Sequence, residues 1–160
     1  MLGRGITVAI LWAGADQLAK FWILTLFAGD PDIRQWIVTG FFNLVLTFNR
    51  GISFGIFNTG SAWNAVVFAA LAAVIVVALL WWLRRVENTL LAIGIGLIIG
   101  GAVGNAIDRV ARGAVVDFLD FHLGQWHPFA FNLADAGISL GVGLLILDGL
   151  MGRRRKGAMG

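Results

Sequence analysis

The chain has 160 residues, of which 59% are hydrophobic and only 13% charged, with a formal charge of +3. A soluble domain of this size needs a charged outer face that such a composition cannot supply, so the chain belongs in lipid. Cysteine is absent, which excludes disulfides, thiolate metal sites and a cysteine nucleophile.

A hydrocarbon core about 30 Å thick needs about 20 apolar residues per crossing helix. Four such runs occur, at 6–27, 62–83, 89–108 and 134–151. The expected fold class is therefore an all-α integral membrane protein of four transmembrane helices. The first run is interrupted by Asp16, Gln17 and Lys20 and lacks a small-residue cleavage site before a polar mature region. It is read as a retained helix and not as a cleaved signal peptide.

Basic residues flanking membrane spans are held on the cytoplasmic side. Arg4, Arg84, Arg85, Arg153, Arg154, Arg155 and Lys156 all fall on one side of this even-numbered bundle. Both termini are expected to be cytoplasmic, and the connections 28–61 and 109–133 to face outward. Residues 1–152 are read as a single four-helix domain and 153–160 as a basic cytoplasmic tail. That tail reads as an anchor against anionic lipid and not as a nucleic-acid site.

In the first outer connection, Ile37-Val38-Thr39-Gly40-Phe41-Phe42-Asn43-Leu44-Val45-Leu46-Thr47-Phe48 is rich in β-branched and aromatic residues. It predicts a small extended sheet between helices 1 and 2, lying on the membrane; the connection between helices 3 and 4 is expected to be a loop. Trp36, Trp63, Trp81, Trp82 and Trp126 fall near expected interfaces, where an indole buries its ring and keeps its N–H wet. Glycines at four-residue spacing, Gly96, Gly100 and Gly104 with Gly137 and Gly141, permit close helix approach.

Chemistry is suggested by polar residues that lipid should exclude. An acidic side chain at mid-bilayer costs about 2.5 to 3.5 kcal/mol even on insertion scales. Asp16 has a structural explanation in Lys20, four residues on and on the same helical face, beside a role in bracing a site. Asn105, Asp108 and Arg109 lie at i, i+3 and i+4 near the outer end of helix 3. Asp108 is expected to be held ionised beside Arg109, which suits scaffolding and substrate positioning better than proton transfer.

Asp117 stands in the apolar run Gly113-Ala114-Val115-Val116-Asp117-Phe118 with no basic residue adjacent, where burial raises a carboxyl pKa. In Phe131-Asn132-Leu133-Ala134-Asp135, Asn132 can cap helix 4 and Asp135 falls in its first turn, where the helix dipole favours negative charge. Two such carboxyls brought together would share a proton and activate a water between them, as in an aspartic protease. Asp108 is the alternative partner for Asp135.

Other function classes place carboxylates in membranes. A small transporter or channel subunit would put them near the midplane on broken helices or in paired repeats, whereas of Asp16, Asp108, Asp117 and Asp135 the last three lie toward one surface. A metal-dependent hydrolase could collect Asp117, Asp120, His122, His127 and Asp135, but the His122–His127 spacing fits no ligand pair on one helical turn. A purely structural subunit leaves the outer aspartates unexplained. No metal or other cofactor is expected.

The chain resembles the lipoprotein signal peptidases, also called signal peptidase II, of bacterial inner membranes. The resemblance runs nearly end to end. It is carried by Asp16 with Lys20, by Asn49-Arg50-Gly51-Ile52-Ser53-Phe54-Gly55, by Gly104-Asn105-Ala106-Ile107-Asp108-Arg109, by Val115-Val116-Asp117-Phe118, and by Phe131-Asn132-Leu133-Ala134-Asp135. Ala19 and Ser53 depart from residues common in the family, threonine and alanine. The resemblance implies Asp117 and Asp135 as the catalytic pair, with Asp16, Asn49, Gly51, Asn105, Asp108, Arg109 and Asn132 lining or bracing the site. It further implies a prolipoprotein substrate with a diacylglyceryl-modified cysteine, cut just before that cysteine. The expected setting is the inner membrane with its lipid, the active site at the outer face and the enzyme a monomer.

Overall fold

Two of the helices start, and one of them stops, at residues with the right capping chemistry. Asn88 accepts from the Leu90 N–H at 2.9 Å and opens one helix, satisfying a donor that the helix itself leaves orphaned. That helix stops at Gly113, whose φ of +71° is left-handed and whose N–H returns to the Arg109 carbonyl. Asn132 opens the last helix, its Oδ1 accepting from the Asp135 N–H at 3.0 Å.

The computed structural model describes residues 1–29, 33, 35–51 and 62–157. It contains helices α1 (Leu2–Ala28), α2 (Ala62–Leu83), α3 (Thr89–Arg112) and α4 (Leu133–Gly157). By length and composition, α2 from Trp63, α3, and α4 up to Met151 can each cross a membrane. The helix α1 is as long, but Asp16, Gln17 and Lys20 sit within it. Ile52-Ser53-Phe54-Gly55 lies outside the described residues, as do the side chains of the basic tail.

The helix α3 is the hub, packed on all three others, and glycine makes this possible. A Cβ on Gly96 would stand 2.5 Å from the Gly5 carbonyl oxygen of α1, and one on Gly100 2.7 Å from that of Ala9. Gly94 faces Gly141, Leu144 and Leu145 of α4. Large apolar side chains such as Leu11, Phe21, Val74, Val77, Leu140 and Ile146 point outward, as a lipid-facing surface requires. Gly100→Leu is expected to force α1 from α3 and destabilise the fold by about 1 to 3 kcal/mol or more, read as an earlier thermal unfolding transition in detergent; an unchanged transition would contradict this packing.

A four-stranded antiparallel sheet in the order β1-β2-β3-β4 covers one end of the bundle: β1 (Gln35–Ile37), β2 (Phe42–Asn49), β3 (Val115–Phe121) and β4 (Ala130–Phe131). The expectation of a sheet confined to the connection between helices 1 and 2 is corrected. The connection between helices 3 and 4, expected to be a loop, supplies half of it. A lone hairpin is marginal in water, and here β3 completes it by pairing along β2 and packing Val116 and Phe118 onto Ile23 and Phe27 of α1. Helix 3 also runs four residues beyond its expected end at Asp108, because the left-handed glycine that stops it is Gly113. All five tryptophans named from the sequence are exposed.

Candidate active site

Lys20 is fully buried, and an ammonium there must find a partner for each of its three N–H bonds. It reaches Asp16 at 2.8 Å, Asp108 at 2.9 Å and Asn105 at 3.1 Å. The sequence expectation that Asp16 pairs with Lys20 is met, and Asp16 also braces α4, its Oδ1 accepting from the Ala134 N–H at 2.9 Å. A side chain at Gly104 would collide with the Asp16 carboxylate.

Asp108 does not use Arg109. Neighbours on a helix point about 100° apart, so its guanidinium partner is Arg112, one turn on, at 2.7 Å. Asp108 also accepts from Gln17 at 3.2 Å and from the Val116 N–H at 3.0 Å. Lys20, Arg112, Gln17 and the Val116 N–H are thus the partners of Asp108, and Asp135 is held instead by Asn105. Arg109 turns the other way, donating to the carbonyls of Asn105 and Gly51, each at 3.3 Å.

Two asparagines connect Asp117 and Asp135. Asn132 Nδ2 donates to Asp117 Oδ1 at 2.6 Å and lies 3.2 Å from Asn105 Oδ1. Asn105 Nδ2 in turn donates to Asp135 Oδ1 at 2.8 Å. On its other side, Asp117 Oδ2 accepts from Asn49 at 3.1 Å, and Asn49 Oδ1 accepts from the Gly51 N–H at 3.0 Å. The nine residues singled out from the sequence thus share one hydrogen-bonded cluster. Lys20, Gln17 and Arg112 complete it; the signal for each is a polar side chain within or one turn from a polar position in an apolar helix.

Asp117 is 3% exposed. Its carboxyl is pushed up to about 7, first by burial and then by the negative charge of Asp135, against hydrogen bonds from Asn49 and Asn132 and the charge of Lys20. A buried carboxyl raised toward neutrality and coupled to a second acidic side chain is a combination enriched at functional sites. Asp135, Asn105 and Arg109 line the polar end of a cleft of about 300 Å³, whose remaining wall is Phe68, Leu71, Ala72, Ile75, Ala102 and Ile138. The cleft runs between α2 and α4 over the surface of α3.

A second polar cluster lies farther along the sheet. Asp120 pairs with His127 at 2.8 Å and accepts from Asn43 at 3.0 Å, while the rings of His122 and His127 stack at 4.6 Å. Among the described residues no three acidic or histidine side chains are grouped to hold a metal ion.

Residues 8–151 match the model of a protein family described as signal peptidase (SPase) II. The chain belongs to the signal peptidase II family. It is 48% identical over 144 residues to the lipoprotein signal peptidases of Burkholderia cenocepacia and Burkholderia multivorans, covering 89% of this chain and 84% of each relative. Two solved structures, each described as a bacterial membrane enzyme structure by the in meso method, superpose with TM-scores of 0.82 and 0.75. Both are 30% identical in sequence; the first covers 96% of this chain and 92% of the other, the second 92% and 93%. The signal peptidase II match spans every element of the cluster from Asp16 to Asp135.

Proposed function

We propose that this protein is an aspartic endopeptidase of the bacterial inner membrane, which removes the signal peptide from prolipoproteins whose cysteine carries a diacylglyceryl group. The observation that carries the proposal is the pair Asp117 and Asp135, each held by an asparagine, with Asp135 lining a cleft whose other walls are mostly apolar. Such a cleft suits acyl chains or an apolar signal segment entering from lipid. The helix α1 is read as the fourth span, residues 1–152 as one catalytic domain and 153–160 as a cytoplasmic tail. Both termini are then cytoplasmic, the sheet lies at the outer face and the enzyme acts as a monomer among lipids.

In this mechanism a water between the carboxyls attacks the scissile carbonyl carbon. Asp135 takes a proton from that water while protonated Asp117 donates to the carbonyl oxygen, giving a neutral tetrahedral intermediate. The intermediate collapses as the C–N bond breaks: the amine of the cysteine leaves with the proton held by Asp135, and one hydroxyl of the intermediate returns its proton to Asp117 as it becomes the carbonyl of the new carboxyl group. The products are a signal peptide ending in a carboxyl group and a free α-amino group on the lipidated cysteine. Asn49 and Asn132 orient Asp117, Asn105 orients Asp135, and Arg109 offsets negative charge between them.

Purified protein in lipid should cut a diacylglyceryl-modified prolipoprotein immediately before its cysteine, as read by mass spectrometry, and leave the unmodified precursor intact. Excess chelator should not alter the rate. Equal cleavage of both precursors, or a rate abolished by chelation, would contradict the proposal.

A further inference from the structure

Trp12 lies within α1, one turn before Asp16, so the two side chains share a helical face. Its indole Nε1–H donates to the Leu133 carbonyl oxygen at 2.8 Å, while Asp16 Oδ1 accepts from the Ala134 N–H at 2.9 Å. That oxygen and that N–H belong to one peptide group. A donor and an acceptor on α1 therefore hold the two ends of a single peptide unit in the first turn of α4, immediately before Asp135. The Asn132 cap fixes where this turn begins along the chain; the α1 contacts fix how it sits against the rest of the bundle.

Room for the indole is made at Gly137. This glycine is buried, and a Cβ there would overlap the Trp12 ring at Nε1, Cδ1 and Cε2. Trp12 and Gly137 are thus a matched pair, in which the absent side chain on α4 lets the ring reach Leu133.

We propose that Trp12 is a positioning residue for Asp135, acting through the Leu133–Ala134 peptide, with Gly137 as its seat. The proposal rests on Asp135 being one of the catalytic pair. Displacements of about 1 Å at a reacting group can lower rates by about 10²-fold, so loss of one of the two grips has a visible effect on turnover.

The test is steady-state cleavage of a lipid-modified prolipoprotein by Trp12→Phe, Trp12→Val, Gly137→Ala and Trp12→Val/Gly137→Ala, with rates normalised to the folded fraction. Trp12→Phe keeps an aromatic ring and loses the donor; Gly137→Ala keeps the donor and displaces the ring. Each single variant should lower kcat about tenfold with KM within about twofold. The double variant should be no slower than Trp12→Val alone, since the methyl group no longer meets an indole. Normal kcat in both Trp12→Phe and Gly137→Ala, or losses that simply add in the double variant, would overturn the proposal. Asp135→Asn run in parallel separates the two readings: if it is inactive while the Trp12 variants are normal, only the positioning role fails, and if it is active the catalytic pair fails first.

Discussion

Asp117→Asn is expected to abolish cleavage while making the fold more stable at alkaline pH. Loss of a positioned acid or base slows catalysis by about 10² to 10⁴-fold, and a pair that works as a unit loses nearly everything when either member is removed. Asp135→Asn should therefore be as inactive as Asp117→Asn. The stability effect has the opposite sign. The Asp117 carboxyl sits at about 7 in the fold against an ordinary value of 3.8, so between those limits the native state holds a proton that the unfolded chain has released. Stability then falls as pH rises through this window. At about 1.4 kcal/mol per pKa unit, the ionised form is about 4 kcal/mol less favourable in the fold than in the unfolded chain. Asparagine does not titrate, so Asp117→Asn should unfold at a higher temperature than the parent at pH 8 and near the same temperature at pH 4. Thermal unfolding at the two pH values checks this, and a variant less stable than the parent at pH 8 would contradict the burial and coupling assigned to Asp117.

The second large effect is at Lys20. With Asp16 and Asp108, each fully buried, it forms a group in which Arg112 supplies the remaining positive charge. Breaking a buried ion pair by removing one partner costs about 3 to 5 kcal/mol, because it leaves a charge without compensation. Lys20→Met fits the space but removes the cation paired with Asp16, leaves Asp108 with Arg112 alone, and deprives Asn105 of a donor. It should lower the unfolding temperature by about 10 °C for a chain of this size. Adding Asp16→Asn should recover part of the loss, since one uncompensated charge is then removed. A Lys20→Met protein as stable as the parent would show that the cluster is not held together by this ammonium. Activity should fall as well, because Asn105 is the residue that holds Asp135.

Much of this arrangement is legible in the residues themselves, and the parts that are not share a cause. Apolar runs mark the four helices, with α2 bounded as expected. Asn132 is recognisable as a cap because Ncap chemistry is local. The pairing of Asp16 with Lys20 follows from one helical turn. By contrast, the residues of β3 read along the chain only as apolar surroundings for Asp117. The pattern Val115-Val116-Asp117-Phe118-Leu119-Asp120-Phe121 has strand character, but pairing with β2 joins residues about 70 positions apart, which no local rule reports. Adjacency points Asp108 to Arg109, whereas helical geometry favours the residue at i+4. Trp12 looks like packing in an apolar helix until the carbonyl it reaches is known.

The central claim is that Asp117 and Asp135 act as one coupled pair. The most direct measurement is the protonated-carboxyl stretch of Asp117, followed by infrared difference spectroscopy against Asp117→Asn as pH is raised in lipid-reconstituted protein. A band that persists into the neutral range, disappears near pH 7, and disappears at lower pH in Asp135→Asn is the expected result. A band already gone by about pH 5, close to the range of an ordinary carboxyl, or one whose titration is the same with and without the Asp135 charge, would mean that the two side chains do not share a proton.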